Sequence, residues 1–108
     1  MTRRHPWAAL AAGALACGLA LPAAAGPETA LGTAGCTACH AQDKKLVGPA
    51  WKDISAKYKG QDGAATALAQ KVRAGGKGVW GPIPMPPNPA AKIGDADLAA
   101  AVGWILQQ

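Results

Sequence analysis

The chain has 108 residues, of which 50% are hydrophobic, and it carries a formal net charge of +5 at pH 7. This length allows at most one domain, and so modest a charge does not favour a nucleic acid as partner. With four tryptophans, one tyrosine and no phenylalanine, the chain has too few large apolar side chains for a substantial core. We therefore expect something besides these side chains to contribute to the core.

The first 25 residues have the composition of a secretory signal. Arg3 and Arg4 make a positive start, residues 7–21 carry no charge, and an Ala-x-Ala cleavage signal ends at residue 25. We expect a signal peptide over 1–25, a mature domain over 26–108 and a periplasmic location. An uncleaved membrane anchor and lipidation at Cys17 remain alternatives, since an apolar stretch of about 20 residues can span a bilayer.

Two short helices are predicted in the first half of the mature domain. The first covers residues 27–34, where Pro27 and Glu28 suit a helix start. A loop over 40–49 separates it from a second helix over 51–58. One face of that helix carries Trp51, Ile54, Ser55 and Tyr58 at spacings of three and four.

Two more helices and a proline-rich loop are predicted in the second half. A helix over 64–74 is stopped by two glycines, and the segment "GKGVWGPIPMPPNPA" cannot continue it because its prolines lack backbone donors. The last helix starts at Asp95 as a cap and runs to about residue 107. Its apolar stripe consists of Leu98, Val102, Ile105 and Leu106, with Trp104 beside it. No alternating run predicts a strand, so the expected fold class is all-α.

The segment "GCTACH" places Cys36 and Cys39 three positions apart and His40 directly after them. A zinc site needs about four ligands, and the mature domain has no second Cys/His pair. A redox dithiol is normally found before a helix in a βαβ unit, and here the predicted helix precedes the cysteines. Covalent haem attachment uses all three side chains, because the thiols bind the two vinyl groups and the histidine becomes an axial iron ligand.

Met85 is the one candidate for a second axial ligand, since the mature domain contains a single histidine and a single methionine. A methionine is often a core filler on a helix face, but Met85 lies among prolines in "PIPMPPN". A stiff loop suits a weak thioether ligand, because the entropy of holding the sulfur is already lost on folding. These residues predict one six-coordinate haem c per chain, bound covalently.

Two long stretches of the mature domain resemble a known family. "GCTACHAQDKKLVGPAWKDISAKYKGQ" and "LAQKVRAGGKGVWGPIPMPPN" closely resemble the small bacterial class I cytochromes c of the cytochrome c-551/c-552 type. The resemblance implies a small cytochrome c fold, with three to five short helices wrapped around one covalently bound haem. It also implies an electron carrier rather than an enzyme.

The resemblance assigns further residues to the site by position. Besides the haem-binding Cys36 and Cys39 and the axial ligands His40 and Met85, it implies four supporting roles. Pro49 would accept the second imidazole N–H through its carbonyl, and Asn88 would donate to the region of the methionine sulfur. Trp80 and Lys71 would face a haem propionate.

The sequence departs at two positions from the residues that this family often has. Trp51 stands where these cytochromes often have tyrosine, so a bond from that position to the propionates is in doubt. Leu31 replaces an aromatic residue in the first helix, which predicts weaker packing between the terminal helices.

The implied function is to carry single electrons between respiratory-chain donors and a terminal oxidase or reductase, such as nitrite reductase or cytochrome c oxidase. Partners would be redox proteins that dock at the exposed haem edge of a monomer, with no small-molecule substrate and membrane contact only through partner complexes. Lys44, Lys45, Lys77 and Lys92 would attract acidic partners. The alternatives are a haem-based sensor or peroxidase-like module from which Met85 dissociates, and a dedicated subunit of a larger enzyme.

Overall fold

The computed structural model of the chain describes residues 11–19 and 26–108. Residues 11–19 are exposed and form neither helix nor strand. The rest of the predicted signal peptide, including its cleavage signal, lies outside the described residues, so the boundary at residue 26 stays a prediction. Among the helices in the described ranges, none is long and apolar enough to cross a membrane.

The domain described from residue 26 onward is mostly helical, as predicted. Its elements are α1 (Pro27–Thr33), a one-turn 3-10 helix (Cys36–Ala38), α2 (Trp51–Tyr58), α3 (Ala64–Ala74), strands β1 (Gly76–Gly78) and β2 (Gly81–Met85), and α4 (Asp95–Ile105). The predicted bounds of α2 and α3 are confirmed, and those of α1 differ by one residue. Glycines explain the ends of α3, because Gly63 and Gly75 both have positive φ, at 74° and 68°.

The prediction that the chain has no strand is wrong for the proline-rich segment. β1 and β2 pair in antiparallel fashion, with Gly76 opposite Met85 and Gly78 opposite Gly81. Pro82 and Pro84 fall at alternate positions between the paired residues of β2, where the ladder does not need their missing N–H groups. No alternation of apolar and polar residues predicts this strand, because glycine and proline occupy most of its positions.

The start of α4 also differs from the prediction. Gly94 is the N-cap and no side chain caps the helix, so Asp95 is its first helical residue rather than its cap. The Asp95 carboxylate instead accepts a hydrogen bond from Arg73, with Nη2 and Oδ1 2.6 Å apart. The local sequence pattern predicts that the Asp95 carboxylate caps α4. In the structure this carboxylate binds Arg73 of α3 instead.

The hydrophobic core lies where α1, α2 and α3 meet α4. Its buried members are Leu31, Ala34, Trp51, Ile54, Ile93, Leu98, Ala101, Val102 and Ile105. Leu31 is only 4% exposed and belongs to this core. The apolar face of α3 is less buried, and its Leu68 and Val72 line a cleft described below.

Ser55 connects α2 to the end of α4 through a buried hydrogen bond. The side chain is fully buried, and its Oγ donates to the Leu106 carbonyl at 3.0 Å. A helix leaves its last carbonyl groups without partners inside the helix. Ser55 thus satisfies one of them while lying on the predicted buried face of α2.

We predict that Ser55→Ala lowers the free energy of unfolding by about 1–2 kcal/mol, because it leaves the Leu106 carbonyl without this donor. Thr66→Ala is the control, since Thr66 is an exposed hydroxyl residue in α3. Denaturant unfolding of the haem-loaded variants measures the effect. Equal stabilities for the two variants would contradict the prediction.

Candidate functional site

One large cleft collects most of the residues that the sequence singles out. Its empty space amounts to about 1190 Å³, part of which is open to solvent. Seven of the eight predicted site residues line it: Cys36, Cys39, His40, Pro49, Lys71, Trp80 and Met85. The eighth, Asn88, does not line the cleft. The rest of the lining is mainly apolar, from Leu31, Val47, Trp51, Ile54, Leu68, Val72, Val79, Ile83, Ile93, Leu98, Val102 and Ile105.

The two cysteines are brought to the cleft by a single tight turn. Gly35 has a φ of 81° and starts the 3-10 helix, and the amides of Cys39 and His40 both donate to the Cys36 carbonyl, at 3.1 and 3.0 Å. Residues three apart in a 3-10 helix project from the same side, which explains why both cysteines line the cleft. Both thiols are free.

Burial raises the pKa of the Cys36 thiol, and the nearby Lys92 ammonium opposes this shift in part. The direction follows from the cost of placing a thiolate in an apolar environment. The environment does not resemble that of a redox dithiol, in which the thiol pKa is lowered.

His40 is held in one orientation by its surroundings. It is 7% exposed, and its Nδ1 lies 2.7 Å from the Pro49 carbonyl oxygen. A carbonyl only accepts hydrogen bonds, so Nδ1 carries the proton, and in the neutral ring the lone pair is then on Nε2. The structure therefore contains the Pro49 contact that the resemblance implies.

The two faces of the His40 ring are also restrained. A Cβ atom added at Gly48 would lie 2.6 Å from the His40 Cε1, so only glycine allows the loop to approach this closely. Trp51 stacks on the imidazole, with ring centroids 4.6 Å apart and an angle of 21° between the planes. Trp104 packs edge-on against Trp51 in turn, at 6.4 Å and 82°. Trp51 thus supports the histidine ring.

Met85 ends β2, next to the C-terminal end of α3. Gly75 lets the two segments touch, because a Cβ there would collide with the Met85 carbonyl oxygen and would lie 2.8 Å from the Pro86 carbonyl carbon. Its φ of 68° also favours glycine. The strand therefore brings the methionine to the cleft against the end of a helix.

Asn88 fixes the chain just after Met85, but its bonds differ from the expected ones. The side chain is 4% exposed, and its Nδ2 donates to the carbonyls of Val72 and Pro86, at 3.2 and 3.0 Å, rather than to the methionine sulfur. Its backbone N–H also donates to Val72, at 3.1 Å. Asn88 therefore acts on Met85 through the backbone of the loop.

The rim of the cleft carries positive charge. Lys71 and Lys77 line the cleft, and the Lys57 ammonium lies 5.8 Å from the ring centroid of Trp80. Trp80 is 40% exposed, so its indole combines an apolar face in the cleft with access to the rim. This arrangement suits a flat apolar ligand with acidic groups at one edge.

Sequence reasoning missed three residues that shape the site, namely Gly48, Gly75 and Arg73. Arg73, in the last turn of α3, donates to the backbone carbonyls of Asn88 and Ile93 as well as to Asp95. These acceptors are 15 to 22 positions away in the sequence. No local signal predicts such contacts, because each depends on how two distant segments pack.

The residues present fit a covalently bound haem. Two thiols on one turn, a histidine with a free Nε2 and a methionine line the same apolar cleft, with lysines at its rim. Within residues 11–19 and 26–108, no three His, Cys, Asp or Glu side chains are placed to hold a metal ion together. The donors are instead distributed along the cleft.

Comparisons with known proteins find one family model and several relatives. A sequence profile of the family described as Cytochrome c matches residues 23–108. Cytochrome c-551 of Pseudomonas aeruginosa is 50% identical over 82 residues, which are 76% of this chain and 76% of that protein. Cytochrome c-552 of Nitrosomonas europaea is 56% identical over 71 residues, which are 66% of this chain and 67% of that protein.

Solved structures of cytochromes are similar to this chain in fold. The crystal structure of wild-type Nitrosomonas europaea cytochrome c552 matches with a TM-score of 0.68 and 51% identity, over 73% of this chain and 95% of that one. The class 1 cytochrome MtoD of Sideroxydans lithotrophicus matches with a TM-score of 0.64 at 26% identity, over 75% and 90% of the two chains.

We predict that Gly48→Ala displaces the His40 ring and weakens its bond to Pro49, with a loss of about 1–3 kcal/mol in unfolding free energy from overpacking. The His40 Nδ1 proton should then exchange faster in an NMR measurement. Gly32→Ala is the matched control, because nothing lies within 4 Å of a Cβ at Gly32. It should keep or increase the stability, since alanine favours a helix. The same exchange rate in both variants would contradict the close-contact argument.

Proposed function

Since the chain belongs to the cytochrome c family, whose cofactor is a covalently bound haem c, we propose that Cys36 and Cys39 bind this haem and that His40 and Met85 ligate its iron. The observation that carries the proposal is that these four side chains line one apolar cleft. The relatives named cytochrome c-551 and c-552 support a monohaem electron-transfer protein. The finer assignments below are made for this chain.

The surroundings of His40 suit this side chain to iron ligation. The Pro49 carbonyl keeps the proton on Nδ1 and leaves Nε2 free to donate its lone pair. A hydrogen bond of this kind also makes the imidazole a stronger ligand. Gly48 and Trp51 hold the ring plane, so little reorganisation accompanies a change in charge at the site.

The methionine side provides the second ligand. When bound, haem supplies a one-electron Fe(III)/Fe(II) couple, and His/Met ligation gives that couple a raised potential. The apolar lining adds to this, because burial from water disfavours the more highly charged oxidised iron. With His40 and Met85 both bound, the iron would have no open position for a substrate. We therefore propose a carrier of single electrons rather than an enzyme.

The rim residues would recognise the propionates. Trp80 supplies an indole N–H at the cleft, and Lys71 supplies an ammonium group beside Gly76. Lys57 and Lys77 add positive charge near the same edge. Charge-assisted hydrogen bonds to carboxylates are stronger than neutral ones, so these groups favour one orientation of the cofactor.

The partners we propose are redox proteins with acidic docking surfaces. Residues 26–108 contain nine Lys and Arg against six Asp and Glu, and complementary charge raises association rates more than it raises affinity. A monomeric shuttle in the periplasm, serving a terminal oxidase or reductase, fits this charge and the predicted signal peptide. Membrane contact would then arise only through the partner complexes.

We predict that Met85→Leu keeps the fold but removes the thioether, because leucine has a similar volume. The reduction potential should fall by on the order of 0.1 V, within the roughly 0.8 V that axial ligands span. Carbon monoxide should bind rapidly to the reduced variant and slowly to the wild type. The control is Leu46→Ala, at an exposed residue that does not line the cleft and offers no ligand. Rapid carbon monoxide binding by the wild type would instead favour the sensor or peroxidase-like alternative.

A second prediction concerns covalent attachment. In cells with a c-type haem maturation system, the denatured wild-type chain should have the mass of the polypeptide plus one haem. Cys36→Ala combined with Cys39→Ala should abolish this added mass, because no thioether bond can form. Cys17→Ala should leave it unchanged, since Cys17 lies in the predicted signal peptide. Haem retained by the denatured double variant would refute the assignment.

A further inference from the structure

Arg73 contacts the chain beyond Met85 at three points. Its Nη1 lies 3.1 Å from the Asn88 carbonyl oxygen and 2.7 Å from that of Ile93, and its Nη2 lies 2.6 Å from the Asp95 carboxylate. The side chain is only 25% exposed. Arg73 does not line the cleft, and none of the roles proposed above uses it.

The segment that Arg73 contacts has few donors of its own. Pro86, Pro87 and Pro89 lack backbone N–H groups, so these residues cannot hold the segment through a regular ladder. The Asn88 amide and side chain bind it to Val72 at its near end. At its far end the Lys92 and Ile93 amides donate to the Pro89 carbonyl, and Arg73, the next residue of α3, donates to the Ile93 carbonyl.

The carbonyl contacts matter more than the ion pair. The Asp95 side chain is 94% exposed, and exposed ion pairs contribute little to stability. The two carbonyls belong to Asn88 and Ile93, which are both buried, so loss of their donor is costly. A planar guanidinium can reach all three acceptors at once, whereas a lysine ammonium is a single compact charge.

We infer that Arg73 is a positioning residue for Met85. Its guanidinium holds the segment from Asn88 to Asp95 against the end of α3, and together with Asn88 it prevents the methionine from withdrawing from the cleft. The inference rests on the proposed function, in which Met85 is an axial ligand. In this role Arg73, which lies outside the cleft, controls how easily Met85 leaves the iron.

The test compares Arg73→Gln and Arg73→Lys with Lys52→Gln in the haem-loaded protein. Lys52→Gln is the control because it also removes one positive charge, from an exposed ion pair with Asp43. Imidazole is added to the oxidised protein, and the loss of the charge-transfer absorption of thioether-ligated iron is followed over time. Unfolding in denaturant is measured separately for each variant.

We expect Arg73→Gln to speed displacement of Met85 by about tenfold to a hundredfold, as for the loss of charge-assisted hydrogen bonds. Arg73→Lys should behave more like Arg73→Gln than like the wild type, and Lys52→Gln should match the wild type. The Asn88 amide should also exchange faster in both Arg73 variants. If Arg73→Gln does not fold, Arg73→Lys decides the question.

A role limited to overall stability would lower the unfolding midpoint without changing the displacement rate in native conditions, and that result would overturn the inference. So would equal displacement rates for Arg73→Gln and Lys52→Gln. A wild-type protein without the thioether absorption would be a different failure. It would reject Met85 as the ligand, and with it both the proposed function and the role assigned to Arg73.

Discussion

The hydrogen bond between His40 Nδ1 and the Pro49 carbonyl joins the turn that carries the cysteines to the loop that leads into α2. Its geometry requires the backbone at Gly48 to approach the imidazole more closely than any other residue type allows. It also leads the chain directly to Trp51, which stacks on the same ring. One hydrogen bond therefore sets the tautomer of the histidine, the path of the loop and the start of a core helix.

The two sides of the cleft are held by different means. The histidine side is built from neighbouring residues, because Cys36 to Trp51 form a short stretch of chain with internal hydrogen bonds. The methionine side depends on a separate element, since prolines deprive its loop of donors and α3 supplies them through Arg73, with Val72 as an acceptor. In the proposed site, loosening this one loop would release Met85 while His40 stays in place.

The core and the cleft share residues, so stability and cofactor binding are coupled. Trp51, Ile54 and Val102 belong to the buried cluster and also line the cleft. A chain with so few large apolar side chains gains a wider apolar surface when a cofactor packs against these residues. The core of α1, α2 and α4 and the cofactor site are for this reason parts of one structure.

The sequence by itself determined the features that depend on neighbouring residues. The bounds of α2 and α3 follow from local periodicity and from glycine stops, and the Cys36, Cys39 and His40 spacing follows from the covalent geometry of attachment. The resemblance to class I cytochromes c added the Pro49 contact, which the structure contains. Most of the fold could therefore be predicted, and seven of the eight predicted site residues line one cleft.

Tertiary structure alone decided the rest. β1 pairs with β2 although neither strand has an alternating pattern. Asp95 binds Arg73 instead of capping a helix. The Asn88 side-chain amide donates to the carbonyls of Val72 and Pro86. Each of these contacts joins groups whose partner is chosen by packing rather than by the chain's local preference. A polar group bonds to whichever acceptor or donor the fold brings near it. The residues adjacent to it in the sequence do not indicate which partner that is.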